Sequence, residues 1–424
     1  MKNIILLVLL IIATGVWAQP KTLAGYYEQA TAAYKKGDYP LYYEMIMGAN
    51  KIHPYHQGIL YEVARAAALV NKPDEAMKYL SKAVHIDASF DMANPDFKSL
   101  INRADYKALL NTQKDLKAPV IHSDTASIIH DRQLHVETVA PGEVPGKFYL
   151  ASVRQRKIVS IDKDGAVKNF TTTGQDGLAA VLGLRIDPYR QVLWACSSPM
   201  EEMEQTATPG QSAVYKYDLK TKKLIKKYPL ADPDMSCVFG DMCSDQKGGF
   251  FVSDSKNNII FRTNERTGIT DDFFTSPLFW NIQGIALAPG GTYLFIADYI
   301  KGVFRLNVAT KELIQLSWEG EGSLKSIDGL LFYKNSLIAI QNGLNPMRVT
   351  RYFLNDTMDK LTSQLVIDNN HPAFNEPTNG YVAGDVLYYV AKSQWSGYDD
   401  AHAIKQADQL QDIVILKADL SLIK

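Results

Sequence analysis

The chain has 424 residues, with 45 Lys+Arg against 46 Asp+Glu and a formal net charge of −1. At 46% hydrophobic and 21% charged residues it has the make-up of an ordinary globular protein, which excludes wholesale disorder. Near-neutral charge without a Lys/Arg run excludes the basic footprint that nucleic acid requires.

The first predicted element is a targeting segment. Met1-Lys2-Asn3 is a short basic start, the apolar run follows at 4–13, and Val16 and Ala18 flank Trp17 as the small residues a signal peptidase reads. The spacing predicts a signal peptide over 1–18, cleavage before Gln19, and an exported chain, periplasmic or secreted. The run is too short to span a bilayer, and the rest of the chain has no 18-residue apolar stretch, so no transmembrane segment is expected. Three cysteines remain, Cys196, Cys237 and Cys243. An odd count makes no disulfide framework, and buried free thiols are expected.

Residues 19–116 read as helices, with breaks at Gly37-Asp38 and Lys72-Pro73-Asp74. The two halves align at a 34-residue offset: Ala30 matches Ala64, and Ala49 matches Ala83. A helix–turn–helix unit of this period resembles the tetratricopeptide repeat. Ala30, Ala49, Ala64, Ala76 and Ala83 stand where that resemblance implies close helix crossings, and Tyr42 replaces the expected Ala. The resemblance also implies a surface suited to a protein partner.

At 119–424 the period changes to short β-branched and aromatic runs bounded by Gly, Asp, Asn and Pro. One unit recurs, in which a polar or small anchor opens a strand, a turn follows, and a second strand ends on a polar residue. Its anchors are Glu137, Gly183, Asp241, Gln283, Asp328 and Asn379, spaced 42 to 58 residues apart. Six copies of a four-stranded unit predict a six-bladed β-propeller, mainly β, preceded by the small α-helical domain. Radial repetition of blades leaves few open sheet edges. The last strand, Ile413-Val414-Ile415-Leu416, is expected to share a blade with the 119–135 region and close the ring.

In a propeller the innermost strands all begin at one end of the axial channel, so the anchors form a ring. Glu137, Asp241, Gln283, Asp328 and Asn379 are then candidate metal ligands, with Gly183 giving only backbone. Carboxylate and amide oxygens without Cys or His suit a hard divalent cation, Ca²⁺ or Mg²⁺. His135, two residues before Glu137, is a candidate second base. Phe279, Trp280, Trp318, Trp395 and Tyr398 are candidates to line a mouth that takes a sugar or another apolar-faced ligand.

The stretch Ile282-Gln283-Gly284-Ile285-Ala286-Leu287-Ala288-Pro289-Gly290-Gly291, with Leu294-Phe295-Ile296-Ala297-Asp298, resembles the repeat of the gluconolactonase/regucalcin superfamily. Ile327-Asp328-Gly329-Leu330, Pro377-Thr378-Asn379-Gly380 and Ser393-Gln394-Trp395 are similar to it too. The resemblance covers most of 135–400. It implies a divalent cation in the channel, with Ca²⁺ the expected ion, Glu137 matching the early Glu ligand and Asp328 the late Asp that serves as base or water-orienting group. Gln283 stands where the family usually has Asn, and Gly240 where an Asn often precedes Asp241. The implied activity is metal-dependent hydrolysis of a lactone or ester. The alternative is a non-catalytic scaffold whose helices and propeller face bind a protein or glycan.

Overall fold

The computed structural model describes residues 22–163, 165–404 and 406–423, so the predicted signal peptide lies outside the described residues. The chain divides into two compact units: residues 22–80 with Met92–Tyr106, and Ser81–Asp91 with Lys107 onward. No helix among the described residues is long and apolar enough to cross a membrane.

The helices are α1 (Leu23–Lys36), α2 (Tyr39–Ile52), α3 (Gln57–Leu69), α4 (Pro73–Ile86) and α5 (Ala104–Lys117). Their limits follow from local chemistry. Thr22 caps α1 by accepting from Gly25 N, and Gly37, at φ 72°, ends it in the left-handed conformation that glycine adopts at least cost. Asp38 then caps α2 by accepting from Leu41 N. The starts of α1 and α3, and of α2 and α4, each lie 34 positions apart, the offset already present in the sequence. Within the helical unit Ala30, Ala49, Ala64 and Ala76 are all buried. Tyr42 is buried among them, and its hydroxyl bonds to Glu62 in a network with Arg65 and Asp96.

The second unit is a six-bladed propeller. Two short strands lead into it, β1 (Val120–Ile121) and β2 (Asp124–Ile129). Blade one holds β3 (Val136–Pro141), β4 (Phe148–Ser152), β5 (Lys157–Ile161) and β6 (Val167–Asn169). Blade two holds β7 (Ala180–Asp187), β8 (Val192–Ser198), β9 (Ala213–Asp218) and β10 (Leu224–Pro229). Blade three holds β11 (Phe239–Ser244), β12 (Phe250–Asp254), β13 (Ile259–Asn264) and β14 (Ile269–Thr275). Blade four holds β15 (Ile282–Leu287), β16 (Tyr293–Asp298), β17 (Gly302–Asn307) and β18 (Leu313–Gln315). Blade five holds β19 (Ile327–Phe332), β20 (Ser336–Gln341), β21 (Arg348–Leu354) and β22 (Leu361–Asn369), with β1 added at its outer edge. Blade six holds β23 (Gly380–Ala383), β24 (Val386–Val390) and β25 (Ile413–Asp419), and β2 supplies its outermost strand. The pairing of β2 with β25 closes the ring as the sequence predicts.

Each blade is covered on both faces, which explains why its middle strands read as continuous apolar runs rather than alternating ones. Side chains still alternate. Along β8, Leu193 and Ala195 pack toward blade one with Tyr149 and Phe170, while Val192, Trp194 and Cys196 pack toward blade three with Phe239 and Met242. Clusters of the same kind fill the other four junctions, including the one between blades six and one. Each fully buried Leu or Phe contributes about 1.5–3 kcal/mol, so the ring is held by six apolar seams. The three cysteines are free and buried within this unit.

Candidate functional site

The innermost strands β3, β7, β11, β15, β19 and β23 surround the channel, and five of them slip register at their heads. The pairing skips Glu137 and Thr138 in β3, Leu182 in β7, Gly240 in β11, Gln283 and Gly284 in β15, and Asp328 in β19. A bulge leaves a residue out of the ladder and re-aims its side chain. Glu137, Leu182, Gly240, Gln283 and Asp328 all line one cavity of about 300 Å³, together with Asn379 just before β23. Glycines after the anchors let neighbouring strands close in. A Cβ on Gly284 would stand 2.5 Å from both Asp328 O and Leu330 N, and one on Gly329 would stand 2.6 Å from Thr378 O.

The channel positions in blades two and three are therefore Leu182 and Gly240, one residue before the anchors Gly183 and Asp241. Asp241 reaches the cavity wall, but its Oδ1 meets Arg185 Nη2 at 2.7 Å and its Oδ2 accepts from Ile285 N at 3.0 Å. Its charge is thereby compensated between blades. Gln283 takes up the space that Gly240 leaves: its Oε1 lies 3.5 Å from where a Cβ on Gly240 would be, while its Nε2 donates to Asn281 Oδ1 at 2.5 Å. Asn379 Oδ1 accepts from Gly380 N at 2.7 Å.

A second set of lining residues comes from beyond the second strands of blades two to six. Ser255, Tyr299 and Asn342 follow β12, β16 and β20, and Met200 and Trp395 come from the longer loops of blades two and six. Sequence reasoning passed over Ser255, Tyr299, Asn342 and Glu376. The usable signal was the polar end of the second strand, since buried Asp254, Asp298 and Gln341 tie the loop ahead of the inner strand. Asp254 accepts from Val238 N, Asp298 from Trp280 N and Asn281 N, and Gln341 donates to Ser323 O and Lys325 O. The next residue in each case faces the channel.

Glu137 is buried, and its Oε2 accepts from Trp395 Nε1 at 2.9 Å and from Ser393 Oγ at 3.1 Å. Burial pushes its carboxyl well above the usual range, and the charge of Asp328 pushes the same way; the bonds from Trp395 and Ser393 pull against them. Asp328 accepts at Oδ2 from Asn342 Nδ2 at 2.6 Å. Its desolvation raises it to about 7, the Asn342 bond opposes that, and the charges of Asp241 and Glu376 add to it. No Lys, Arg or His is among the described residues lining the cavity.

His135 does not line the cavity. Its Nδ1 is 2.8 Å from the Tyr398 hydroxyl, its ring stands edge-on to Trp395 at 4.3 Å, and burial lowers its pKa to about 3. It is a neutral ring packed behind Trp395. Of the five aromatic candidates, Trp395 alone lines the cavity; Phe279 and Trp318 pack in blade seams, Tyr398 holds His135, and Trp280 lies under Lys301.

Among the described residues no three His, Cys, Asp or Glu side chains gather tightly enough to hold a metal ion by themselves. The carboxylate, amide and hydroxyl groups that line the cavity offer oxygen, which is the chemistry of a hard cation. The carboxylates of Glu137 and Asp328 would balance a double charge, and the amide oxygens of Gln283 and Asn379 would complete the set.

No family model matches the chain, and no curated protein matches it. Solved structures similar to it include a PQQ-bound aldose sugar dehydrogenase from Streptomyces coelicolor, with 13% identity over 71% of this chain and 99% of that one, TM-score 0.46. A gluconolactonase from Xanthomonas campestris has 11% identity over 71% and 98%, TM-score 0.44. Virginiamycin B lyase from Staphylococcus aureus has 14% identity over 64% and 82%, TM-score 0.44. Likenesses this distant carry nothing about chemistry.

Proposed function

We propose that the channel cavity is a divalent-cation site, with Ca²⁺ the best match, at which an exported protein hydrolyses a small lactone or ester. The observation that carries this reading is the placement of Glu137 and Asp328 in one cavity whose described lining has no Lys, Arg or His. Burial raises both carboxyls, and the charge of Asp328 adds to the rise at Glu137, so a cation held between them would relieve both. Export is supported by the apolar run at 4–13 and the small residues after it.

A bound cation would supply Lewis-acid polarisation of the acyl oxygen. The rest of the chemistry falls to the chain. The Asp328 carboxylate, held at Oδ2 by Asn342, is placed to orient an attacking water in the cavity. Trp395 and Ser393 fix the Glu137 carboxyl on one side of the cavity. Leu182, Met200, Val238 and the Trp395 ring form an apolar wall that limits water. A volume of about 300 Å³ admits a small molecule and not a polymer.

Calorimetric titration of the full chain with Ca²⁺, Mg²⁺ and Mn²⁺, followed by a lactone and aryl-ester panel, tests the reading. Binding that Asp328→Asn abolishes, with hydrolysis that depends on the added cation, supports it. A wild-type chain that binds none of the three and cleaves no member of the panel overturns it.

A further inference from the structure

Asp328 is the end of a chain of polar side chains that crosses from blade four to blade five. Tyr299, just after β16, donates its hydroxyl to Asn342 Oδ1 at 2.9 Å, and Asn342 Nδ2 donates to Asp328 Oδ2 at 2.6 Å. The Ser326 hydroxyl bonds to the Tyr299 oxygen at the far end.

The direction of this chain is fixed by the groups themselves. An amide nitrogen only donates and its oxygen only accepts. With Oδ1 occupied by the tyrosine hydroxyl, Asn342 must turn its NH₂ toward Asp328. The backbone is also shaped around the contact. Gly343 follows Asn342, and a Cβ there would run into Tyr299 Oη and come within 2.9 Å of Ser326 Oγ. Ser326 itself is held at φ 59°. Ser326, Tyr299 and Gly343 thus support Asn342, which alone among them bonds to Asp328.

We propose that Tyr299 and Asn342 are positioning residues, which act through Asp328: they pin its Oδ2 and leave Oδ1 as the oxygen presented to cation and substrate. This role rests on the cation-site reading above, because it gives Asp328 something to be positioned for. It adds that the affinity of the site depends on two uncharged residues linked to the ligand by hydrogen bonds. A carboxylate allowed to rotate loses part of its orientation advantage even though its charge is intact.

Tb³⁺ luminescence, sensitised by the Trp395 indole in the cavity wall, reads the site without any substrate. Tyr299→Phe removes a single oxygen and is expected to weaken Tb³⁺ binding about tenfold. Asn342→Leu is expected to weaken it at least as much, and the double variant no more than Asn342→Leu alone, since both act through one hydrogen bond. Where a hydrolysed substrate is in hand, kcat should fall with KM held. Wild-type affinity in both single variants, or additive losses in the double, overturns the positioning role while the cation site stands. A wild-type chain that does not bind Tb³⁺ at all overturns both. Urea midpoints of the same variants confirm folding, and Tyr299→Phe, the mildest change, keeps the comparison usable if Asn342→Leu unfolds.

Discussion

Trp395 Nε1 reaches across the junction of the last and first blades to donate to Glu137 Oε2 at 2.9 Å. The same junction is tied through the Glu137 carbonyl, which accepts from Thr378 Oγ1 at 2.7 Å and from Asn379 N at 3.3 Å. Ring closure and site geometry therefore share one residue. Trp395→Phe keeps the ring and removes the donor. It leaves Oε2 with Ser393 alone, so the Glu137 carboxyl should rise further and the fold should lose about 1–2 kcal/mol. Urea unfolding measures the second effect and cation titration at pH 7 the first. An unchanged midpoint and an unchanged affinity would count against the bond.

Asp328 makes a prediction about pH. Its pKa stands above the usual value, so the folded chain holds a proton that the unfolded chain releases. Stability from this group is complete below about pH 4 and is lost as pH rises toward 7, to a limit of about 4 kcal/mol. In chelator, denaturant midpoints should fall across that window, and Asp328→Asn should flatten the fall. Added Ca²⁺ should restore the wild-type midpoint at pH 8 by mass action and leave Asp328→Asn unmoved. A flat wild-type profile in chelator would remove the electrostatic reason for expecting a cation.

The sequence carried the fold and half of the site. Six apolar units with turn residues between them can be counted without coordinates, and the pairing of the final strand with the 119–135 region follows from the need to close a ring. Anchors followed by glycine, at Gln283-Gly284, Asp328-Gly329 and Asn379-Gly380, were legible because the glycine is forced by the approach of the next inner strand. Blades two and three break that pattern. There the order is Leu182-Gly183 and Gly240-Asp241, and a one-residue bulge decides which side chain faces the channel. Alternation alone cannot place a bulge: the skipped position falls on Gly240, and Asp241 lines the same cavity while paired with Arg185. The second set of lining residues was hidden for another reason. Tyr299 and Asn342 lie in loops, where no periodicity marks direction.

Gly284 and Gly240 separate the two uses of glycine in the ring. At Gly284 an added Cβ meets backbone atoms of the neighbouring inner strand at 2.5 Å, and backbone cannot rotate away. Gly284→Ala should cost about 1–3 kcal/mol or more. At Gly240 the nearest atom is Gln283 Oε1 at 3.5 Å, an ordinary contact, so Gly240→Ala should be close to neutral. Gly240→Asn goes further, adding a carbonyl oxygen at the one channel position in blade three that has none. It should raise Ca²⁺ affinity severalfold in calorimetry. A loss of affinity would mean that Gln283 already fills the space and is displaced by the new side chain.

The loop at 391–412, which carries Trp395 and Tyr398, is joined to the blade-two loop at 199–212 by one histidine. His402 Nδ1 lies 2.7 Å from Glu202 Oε1, and Nε2 lies 2.8 Å from Glu201 Oε2. Both ring nitrogens face carboxylates, an arrangement that favours the protonated ring. Glu202 is the largest cause of its raised pKa, with Glu201 and Asp399 adding their charge. The sign follows: the contact is fully formed below about pH 6.5 and is lost as pH rises through the raised value. His402 is at the surface, so the effect is local opening and not global stability. Met200 and Trp395, one from each loop, both line the cavity, which places the consequence at the site. Hydrogen exchange compared at each pH with His402→Gln should show both loops better protected in the wild type at pH 6 and no different at pH 9. High salt should shrink the difference at pH 6, as expected for an exposed ion pair. Equal exchange at pH 6 would show that the two loops are held by packing alone, and that the histidine plays no part in closing them over the channel.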